Sequence, residues 1–329
     1  MKGKKIGMVY DLRGDYLSEG YTEEQVAEFD FDATISAIEE ALAEIGFRPE
    51  RIGHGRNLVK RLVQGDRWDL IFNIAEGLKG RSREAQVPAL LEMYGIPYTF
   101  SDPLVCAVTL DKAVAKRLVR DSGLNTPEFH VANDISDLDK IKIDYPLFVK
   151  PVAEGTGKGI SQNSMVENKD RLIMVCRELL EHFDQPLIVE EYLPGREFTV
   201  GVLGCGRHAR VIGTMEVEML PSAGGMIYSY ETKEKCDDLV RYSRPGGREK
   251  DEVEKLALDS YMALECRDAG RVDIRMDARG KPAFMEINPL PGLHPSHSDL
   301  PMIATQEGMA YRDLIGAIVE SAAGRAGIV

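Results

Sequence analysis

Cysteine is scarce in this sequence. Its five residues, Cys106, Cys176, Cys205, Cys236 and Cys266, are odd in number, lie far apart and never fall into a C-x-x-C spacing. That argues against a disulfide framework and against a zinc site. The six histidines fit no metal-ligating spacing either. No apolar run approaches the length needed to span a bilayer, and the start MKGKKIGMVYD passes straight into a strand-like stretch with no small-residue cleavage site. A cytoplasmic protein with no membrane contact is therefore expected. Positive charge is in deficit: 41 Lys and Arg stand against 54 Asp and Glu, a net charge of −13. Such a surface repels a phosphate backbone, which excludes non-specific nucleic-acid binding and requires any anionic ligand to be met by local cations. The strand at Lys5 is followed by Asp11-Leu12-Arg13-Gly14-Asp15, without the closely spaced glycines of a dinucleotide site, and no G-x-x-x-x-G-K-[ST] motif occurs. Internal repeats and low-complexity stretches are absent as well.

What is present is a globular chain of 329 residues, 43% hydrophobic, which suits two or three packed domains. Lys5 to Tyr10 reads as a buried strand, and Phe31 to Ile45 as an amphipathic helix carrying Ile35, Ile38, Leu42 and Ile45. Asp69 to Ile74 reads as a second buried strand, Val87 to Tyr94 as helix, and Ile96 to Phe100 as a further extended piece. That alternation is an open α/β layer. Thr109 to Asp121 reads as one helix with Lys112 near its start, broken by Ser122-Gly123-Leu124-Asn125-Thr126-Pro127, which puts a domain boundary near residue 102.

Three segments carry chemistry. In GRVDIRMDARGKPAFMEINP, from Gly270 to Pro289, two strands flank a tight turn at Arg279-Gly280. Centring the turn there sets Arg271 opposite Asn288, Asp273 opposite Glu286, and Val272, Ile274 and Met276 opposite Ile287, Met285 and Ala283. One face is apolar and the other charged. Two carboxylates facing each other repel unless a cation intervenes, and the oxygen donors of Asp273, Glu286 and Asn288 suit magnesium. Residue types alone would equally fit a solvated hairpin face; the register favours the metal.

In LFVKPVAEGTGKGI, Leu147 to Ile160, an apolar strand runs into a loop whose Gly155, Gly157 and Gly159 let backbone N–H groups approach a polyphosphate. Lys150 and Lys158 supply charge and Thr156 a hydroxyl. A glycine loop between strands is more often a plain connection, so this reading depends on its neighbours. In LIVEEYLPGREFTV, Leu187 to Val200, a strand ends in paired acids and a Pro-Gly turn leads to another strand. Glu190 is placed to accept from an adenine amino group and Glu197 from ribose hydroxyls, although a surface hairpin would explain the segment by itself.

With these residues in view, the chain resembles the ATP-grasp superfamily and, within it, the D-alanine–D-alanine ligase family. The resemblance rests on GIPYTFSD with TLDK (Gly95 to Asp102, Thr109 to Lys112), VKPVAEGTGKGI, VEEYLPGREFTV and GRVDIRMDARGKPAFMEINPLPGLHPSHSDLP, in the family's order. It implies an α/β multidomain ATP-grasp fold. An N-terminal open α/β domain would span 1–102, a central small α+β subdomain with the phosphate loop 103–186, and a C-terminal antiparallel-sheet subdomain 187–329. It implies that Lys112 and Lys150 contact ATP phosphates and the adenine surroundings, and that the loop Glu154, Gly155, Thr156, Gly157, Lys158, Gly159, Ile160 closes over the phosphates. Glu190, Glu191 and Leu193 would define the adenine pocket and Glu197 the ribose contact. Lys233 would approach the γ-phosphate from a mobile segment at 222–235 hinged at Gly224 and Gly225. Asp273, Glu286 and Asn288 match ligands for two magnesium ions, with manganese an acceptable substitute. Arg271 and the Gly292 backbone match stabilisers of the transferring acyl group, and Ser298 and Leu300 a substrate-carboxylate pocket, in a segment Pro291 to Pro301 that is one residue longer than usual.

The departures lie on the substrate side. The family's N-terminal G-G-x-S-x-E motif, whose glutamate holds the first D-alanine's ammonium, is replaced by the acidic segment Asp11 to Phe31, where Glu28 falls near the expected glutamate under a gapped alignment. Glu234 follows Lys233 in place of a tyrosine, and Glu76-Gly77 stands for the usual His-Gly. The expectation is a carboxylate–amine ligase working through an acylphosphate on small amino-acid or peptide substrates, in the cytoplasm, as a homodimer in the family manner. A nucleotide-binding regulator without turnover and a kinase that stops at phosphoryl transfer are the alternatives; Arg271 favours the ligase.

Overall fold

The computed structural model describes residues 3–219 and 240–328. Lys233, Cys236 and the segment 222–235 therefore lie outside the described residues. The opening run KIGMVY is apolar on both faces because its strand, β1 (Lys5–Tyr10), is central in a parallel sheet, flanked by β2 (Arg48–Gly53) and β3 (Leu70–Ile74). Ile6 and Met8 pack with Ile35, Ile38 and Leu42 of the helix Asp32–Ile45, whose period of three to four residues puts them on one stripe. The opposite face, with Val9 and Ile71, buries Leu58 and Leu62 of the helix Gly55–Val63. Ile96 to Phe100 is not a full strand. It meets β3 through a single bridge at Tyr98, with Ile71 N–H donating to Pro97 O at 2.8 Å and Thr99 N–H to Ile71 O at 2.9 Å. Phe100 then turns away at φ 71°.

The helix expected over Thr109 to Asp121 is two helices, Pro103–Leu110 and Lys112–Asp121. Asp111 breaks them, its side chain accepting from Ala113 and Val114 N–H at 3.1 and 3.0 Å, so that Lys112 opens the second helix.

Beyond this pair lie two antiparallel sheets. The four-stranded one contains β4 (Phe129–Ala132), β5 (Leu147–Pro151), β6 (Met165–Val166) and β7 (Leu187–Glu191) in the order β4-β7-β5-β6, covered by Leu172, Val175 and Cys176 of the helix Lys169–Phe183. The five-stranded one contains β8 (Glu197–Leu203), β9 (Arg210–Met219), β10 (Val240–Ser243), β11 (Ala269–Met276) and β12 (Pro282–Asn288) in the order β10-β9-β8-β11-β12. Val253, Ala257 and Tyr261 of the helix Gly247–Ala263 cover it. Glu190 and Glu197 therefore do not share a hairpin: β7 and β8 belong to different sheets, and the segment between them crosses the gap. At that crossing Gly195 N–H donates to Met276 O at 3.1 Å, and a Cβ on Gly195 would stand 2.5 Å from the same oxygen.

The hairpin β11–β12 pairs Arg271 with Asn288, Val272 with Ile287 and Asp273 with Glu286, as expected. Past Asp273 the expected pairs Ile274–Met285 and Met276–Ala283 are replaced by Ile274–Phe284 and Met276–Pro282, because the register shifts there and Met285 becomes an extra residue. The shift has a tertiary cause. The free edge of β12 is held by Phe284 N–H donating to Asn125 O at 2.8 Å and by Thr126 Oγ1 donating to Phe284 O at 2.8 Å.

The chain end packs back on its beginning. Leu314, Ile315 and Ile318 of the helix Tyr311–Arg325 share a core with Ile6, Met8 and Leu42. Fully buried Asp268 fastens this junction, accepting from Phe100 N–H at 2.8 Å, Ser321 Oγ at 2.8 Å and the Arg325 guanidinium at 2.6 Å. Among the described residues no helix is long and apolar enough to cross a membrane.

Candidate active site

Two clefts open between the sheets. One, facing β5, β8 and β11, is lined by Phe148, Lys150, Gly157, Ile160, Glu197, Thr199, Asp273 and Arg275. The other, of about 220 Å³, lies toward the parallel sheet and is lined by Glu28, Glu76, Glu84, Lys112, Glu154, Thr156, Asn288, Gly292 and Ser298. Arg271, Glu286 and Asp299 line both.

Glu190, at the end of β7, is fully buried, with Lys150 Nζ 2.9 Å from one carboxylate oxygen and Lys116 Nζ 3.0 Å from the other. Burial alone would raise the Glu190 carboxyl, but the two lysines hold it below its ordinary value. Burial likewise outweighs Glu190 at Lys116, pushing that ammonium down to about 8. Glu190, expected to accept from an adenine amino group, is held here between Lys150 and Lys116. Leu193 is buried and Glu191 is exposed. Glu197 accepts from Arg275 Nη1 at 3.2 Å.

On β11 and β12 the facing pair Asp273 and Glu286 already attracts cations. Arg271 donates to both Asp273 oxygens at 3.1 and 2.9 Å and to Asp299 Oδ2 at 2.9 Å. Lys112 Nζ stands 3.4 Å from Glu286 and donates to Glu154 O at 2.5 Å. Burial works against the Arg271 charge, and Asp273 and Asp299 more than offset it, leaving the guanidinium ionised.

The loop Glu154–Ile160 is tied to the parallel-sheet domain. Glu28 Oε1 accepts from Gly155 N–H at 2.6 Å and lies 3.2 Å from Lys158 Nζ, while its Oε2 accepts from Arg83 Nη2 at 2.7 Å. A Cβ at Gly155 would come within 2.8 Å of Glu28, so a larger residue there would displace the carboxylate from this approach. Burial would raise the Glu28 carboxyl, but Arg83 and Lys158 hold it at about 2. Lys158 also pairs with Glu154. Thr156 sits at φ 50°, a strained choice for a β-branched residue, with its hydroxyl buried.

Four buried polar atoms on these walls have no hydrogen-bond partner among the described residues: Thr156 Oγ1, Thr199 Oγ1, Arg275 Nε and Asn288 Nδ2. Native interiors seldom leave such atoms unpaired, so their clustering marks a place for a polar ligand. Ser298 lines the cleft; its Oγ packs under Gly292, where a Cβ would meet it at 2.7 Å, and accepts from His294 N–H at 3.0 Å. Leu300 does not line either cleft; its side chain is fully buried in the core with Ile6 and Leu314.

Lys116, Arg83, Glu84 and Asp299 were not expected from the sequence. Lys116 had a signal, since it lies one helical turn from Lys112 on the same face. Glu84 and Arg83 carry none, because only the turn Arg83–Ala85 points them inward.

Comparison with known proteins shows the family of the chain. The family model described as D-ala D-ala ligase C-terminus matches residues 118–320, more than half of the chain. A D-alanine–D-alanine ligase from a Marinomonas species is 35% identical over 266 residues, 79% of each chain. The enzyme of that name from Bordetella pertussis is 33% identical over 291 residues, 87% of this chain and 88% of its own. The crystal structure of the D-alanine–D-alanine ligase from Bacillus anthracis complexed with ATP superposes with a TM-score of 0.74 at 23% identity over 99% of both chains, a likeness of fold.

Proposed function

Because the chain belongs to the D-alanine–D-alanine ligase family, and so is an ATP-dependent ligase forming C–N bonds, we propose that it activates one substrate's carboxylate as an acylphosphate where its two clefts meet and joins it to a second substrate's amine. The observation that carries this reading is the shared wall of Arg271, Glu286 and Asp299: a nucleotide in the β5–β8 cleft would present its γ-phosphate to a carboxylate in the other.

The roles follow from charge and position. Lys150 and Lys112 bring compact cations to the polyphosphate, and the Gly155–Gly159 backbone offers N–H donors above it. Glu197 suits the ribose hydroxyls. Asp273 and Glu286, facing each other, and Asn288, whose buried amide nitrogen has no partner among the described residues, make a hard-oxygen donor set that fits magnesium or manganese. Magnesium bound there would supply neutralisation of charge spread over the phosphoryl oxygens. When the second substrate's amine attacks the acylphosphate carbonyl, Arg271 and the Gly292 N–H stabilise the oxyanion of the tetrahedral intermediate, which then expels inorganic phosphate and loses the amine proton; the contribution is on the order of 10²–10³ in rate per donor. The loop fastened by Glu28 excludes water from the acylphosphate. A regulator that only bound nucleotide would have no use for a partly buried arginine at the junction. ATP and small substrates put this enzyme in the cytoplasm. An ADP-release screen with D- and L-amino acids, singly and in pairs, tests the proposal. Magnesium-dependent release coupled to a new amide is expected, and ATP turnover without any amide product would overturn it.

A further inference from the structure

We propose that the cleft beside the parallel sheet selects an amino-acid substrate bearing a second positive charge, a diamino acid, whose side-chain ammonium lies between Glu76 and Glu84. The inference deepens the ligase reading of the same cleft and rests on it.

Three carboxylates reach this end of the cleft: Glu28, Glu76 and Glu84. Glu28 is fully matched, by Arg83, Lys158 and the Gly155 N–H. The cations nearby are also spent. Arg83 divides its guanidinium between Glu28 and Ala153 O at 2.8 Å, and Lys112 serves Glu154 O and Glu286. Glu84 is only 8% exposed, lines the cleft, and makes no hydrogen bond or ion pair among the described residues. Glu76, just past the end of β3, lines the same wall and is likewise without such a partner among them.

Two desolvated acids with no hydrogen bond or close ion pair among the described residues repel each other, Arg83 and Lys112 offset this only in part, and such an arrangement is costly unless a further cation enters. The direction of their titration agrees: burial first, then repulsion from Glu84 and from Glu28, raises Glu76 well above its ordinary value, and burial, only partly offset by Arg83 and Lys112, raises Glu84 to about 7. A neutral amino acid brings one ammonium against two unmatched carboxylates. A diamino acid brings two, which balances the wall, and its aliphatic stem separates the second charge from the reacting end.

The test uses the full chain with ATP and magnesium, and measures ADP release with D- and L-2,3-diaminopropionate, ornithine and lysine against the neutral isosteres 2-aminobutyrate, norleucine and 2-aminoheptanoate, each alone and with alanine. The expected result is a KM for at least one diamino acid at least tenfold below that of its isostere. Glu84→Gln should cut that preference by tenfold or more, Glu84→Asp should retain part of it, and Glu76→Gln gives an independent reading should one variant misfold. Equal KM values for charged and neutral substrates, or a preference that survives both Gln variants, would overturn the inference while leaving the ligase reading intact. If no substrate releases ADP the ligase reading fails, and calorimetry of ornithine against norleucine with a non-hydrolysable ATP analogue decides the cation site: tighter ornithine binding supports it, equal binding refutes it.

Discussion

Replacing Glu84 by glutamine should make the ligand-free protein more stable at alkaline pH and leave it nearly unchanged in acid. Burial, with Arg83 and Lys112 lowering and Glu28 raising, leaves the Glu84 carboxyl at about 7 instead of its ordinary 4.5. Below about pH 4.5 the acid is protonated in both folded and unfolded chains. As pH rises toward 7 only the unfolded chain ionises readily, and stability drains away; above 7 the loss is complete. At 1.36 kcal/mol for each tenfold change in acidity, the difference is worth about 3 kcal/mol. Glu84→Gln keeps the shape and removes the charge. For a chain of this size roughly 2 °C accompanies each kcal/mol, so Tm should rise by about 6 °C at pH 8.5 and by less than about 1 °C at pH 4.5. Thermal denaturation of wild type and variant at the two pH values, without nucleotide, is the assay. An unchanged Tm at pH 8.5, or the same gain at both, would show that Glu84 is not an uncompensated acid in the folded state.

Glu286→Gln should abolish magnesium-dependent turnover with the circular dichroism spectrum unchanged, since one of two facing carboxylates is lost from an otherwise intact hairpin; wild-type rates at ordinary magnesium would refute the metal assignment. Lys150→Ala should raise the Kd for ATP at least tenfold by calorimetry, because it removes a cation from the nucleotide cleft and leaves Glu190 with Lys116 alone; an unchanged Kd counts against its role. Asp268→Ala should cost about 3–5 kcal/mol in urea unfolding, as it strips a buried charge from Arg325 and leaves Phe100 N–H without its acceptor; a loss under about 1 kcal/mol would mean the junction is held by packing alone.

The nucleotide side was legible in the sequence because its chemistry is local. Lys150 and the glycines that follow, or Asp273 and Glu286 a hairpin apart, announce themselves within a few residues of one another. The same hairpin marks where local reasoning stops: its pairing nearest the site followed from the turn, whereas the extra residue at Met285 is imposed by Asn125 and Thr126 on the neighbouring edge. Glu190 and Glu197 read as one strand-turn-strand unit, and only tertiary packing separates them into two sheets. The amine end was less legible still. Glu28 meets Gly155 across 127 positions, and the inward aim of Glu84 comes from a single 3₁₀ turn with no periodic signature.

Where the chain crosses between the two antiparallel sheets, one absent methyl group permits a close backbone approach. With hydrogen as its side chain, Gly195 can lie against the Met276 carbonyl; any larger residue would act as a wedge driven between the two lobes, since its Cβ would overlap backbone that cannot swing aside. The crossing between the two lobes is thus gauged by an atom that lines neither cleft. A change at this position would alter the bite of the whole cleft at once, leaving every lysine and carboxylate in it chemically the same and all of them at the wrong distance from one another.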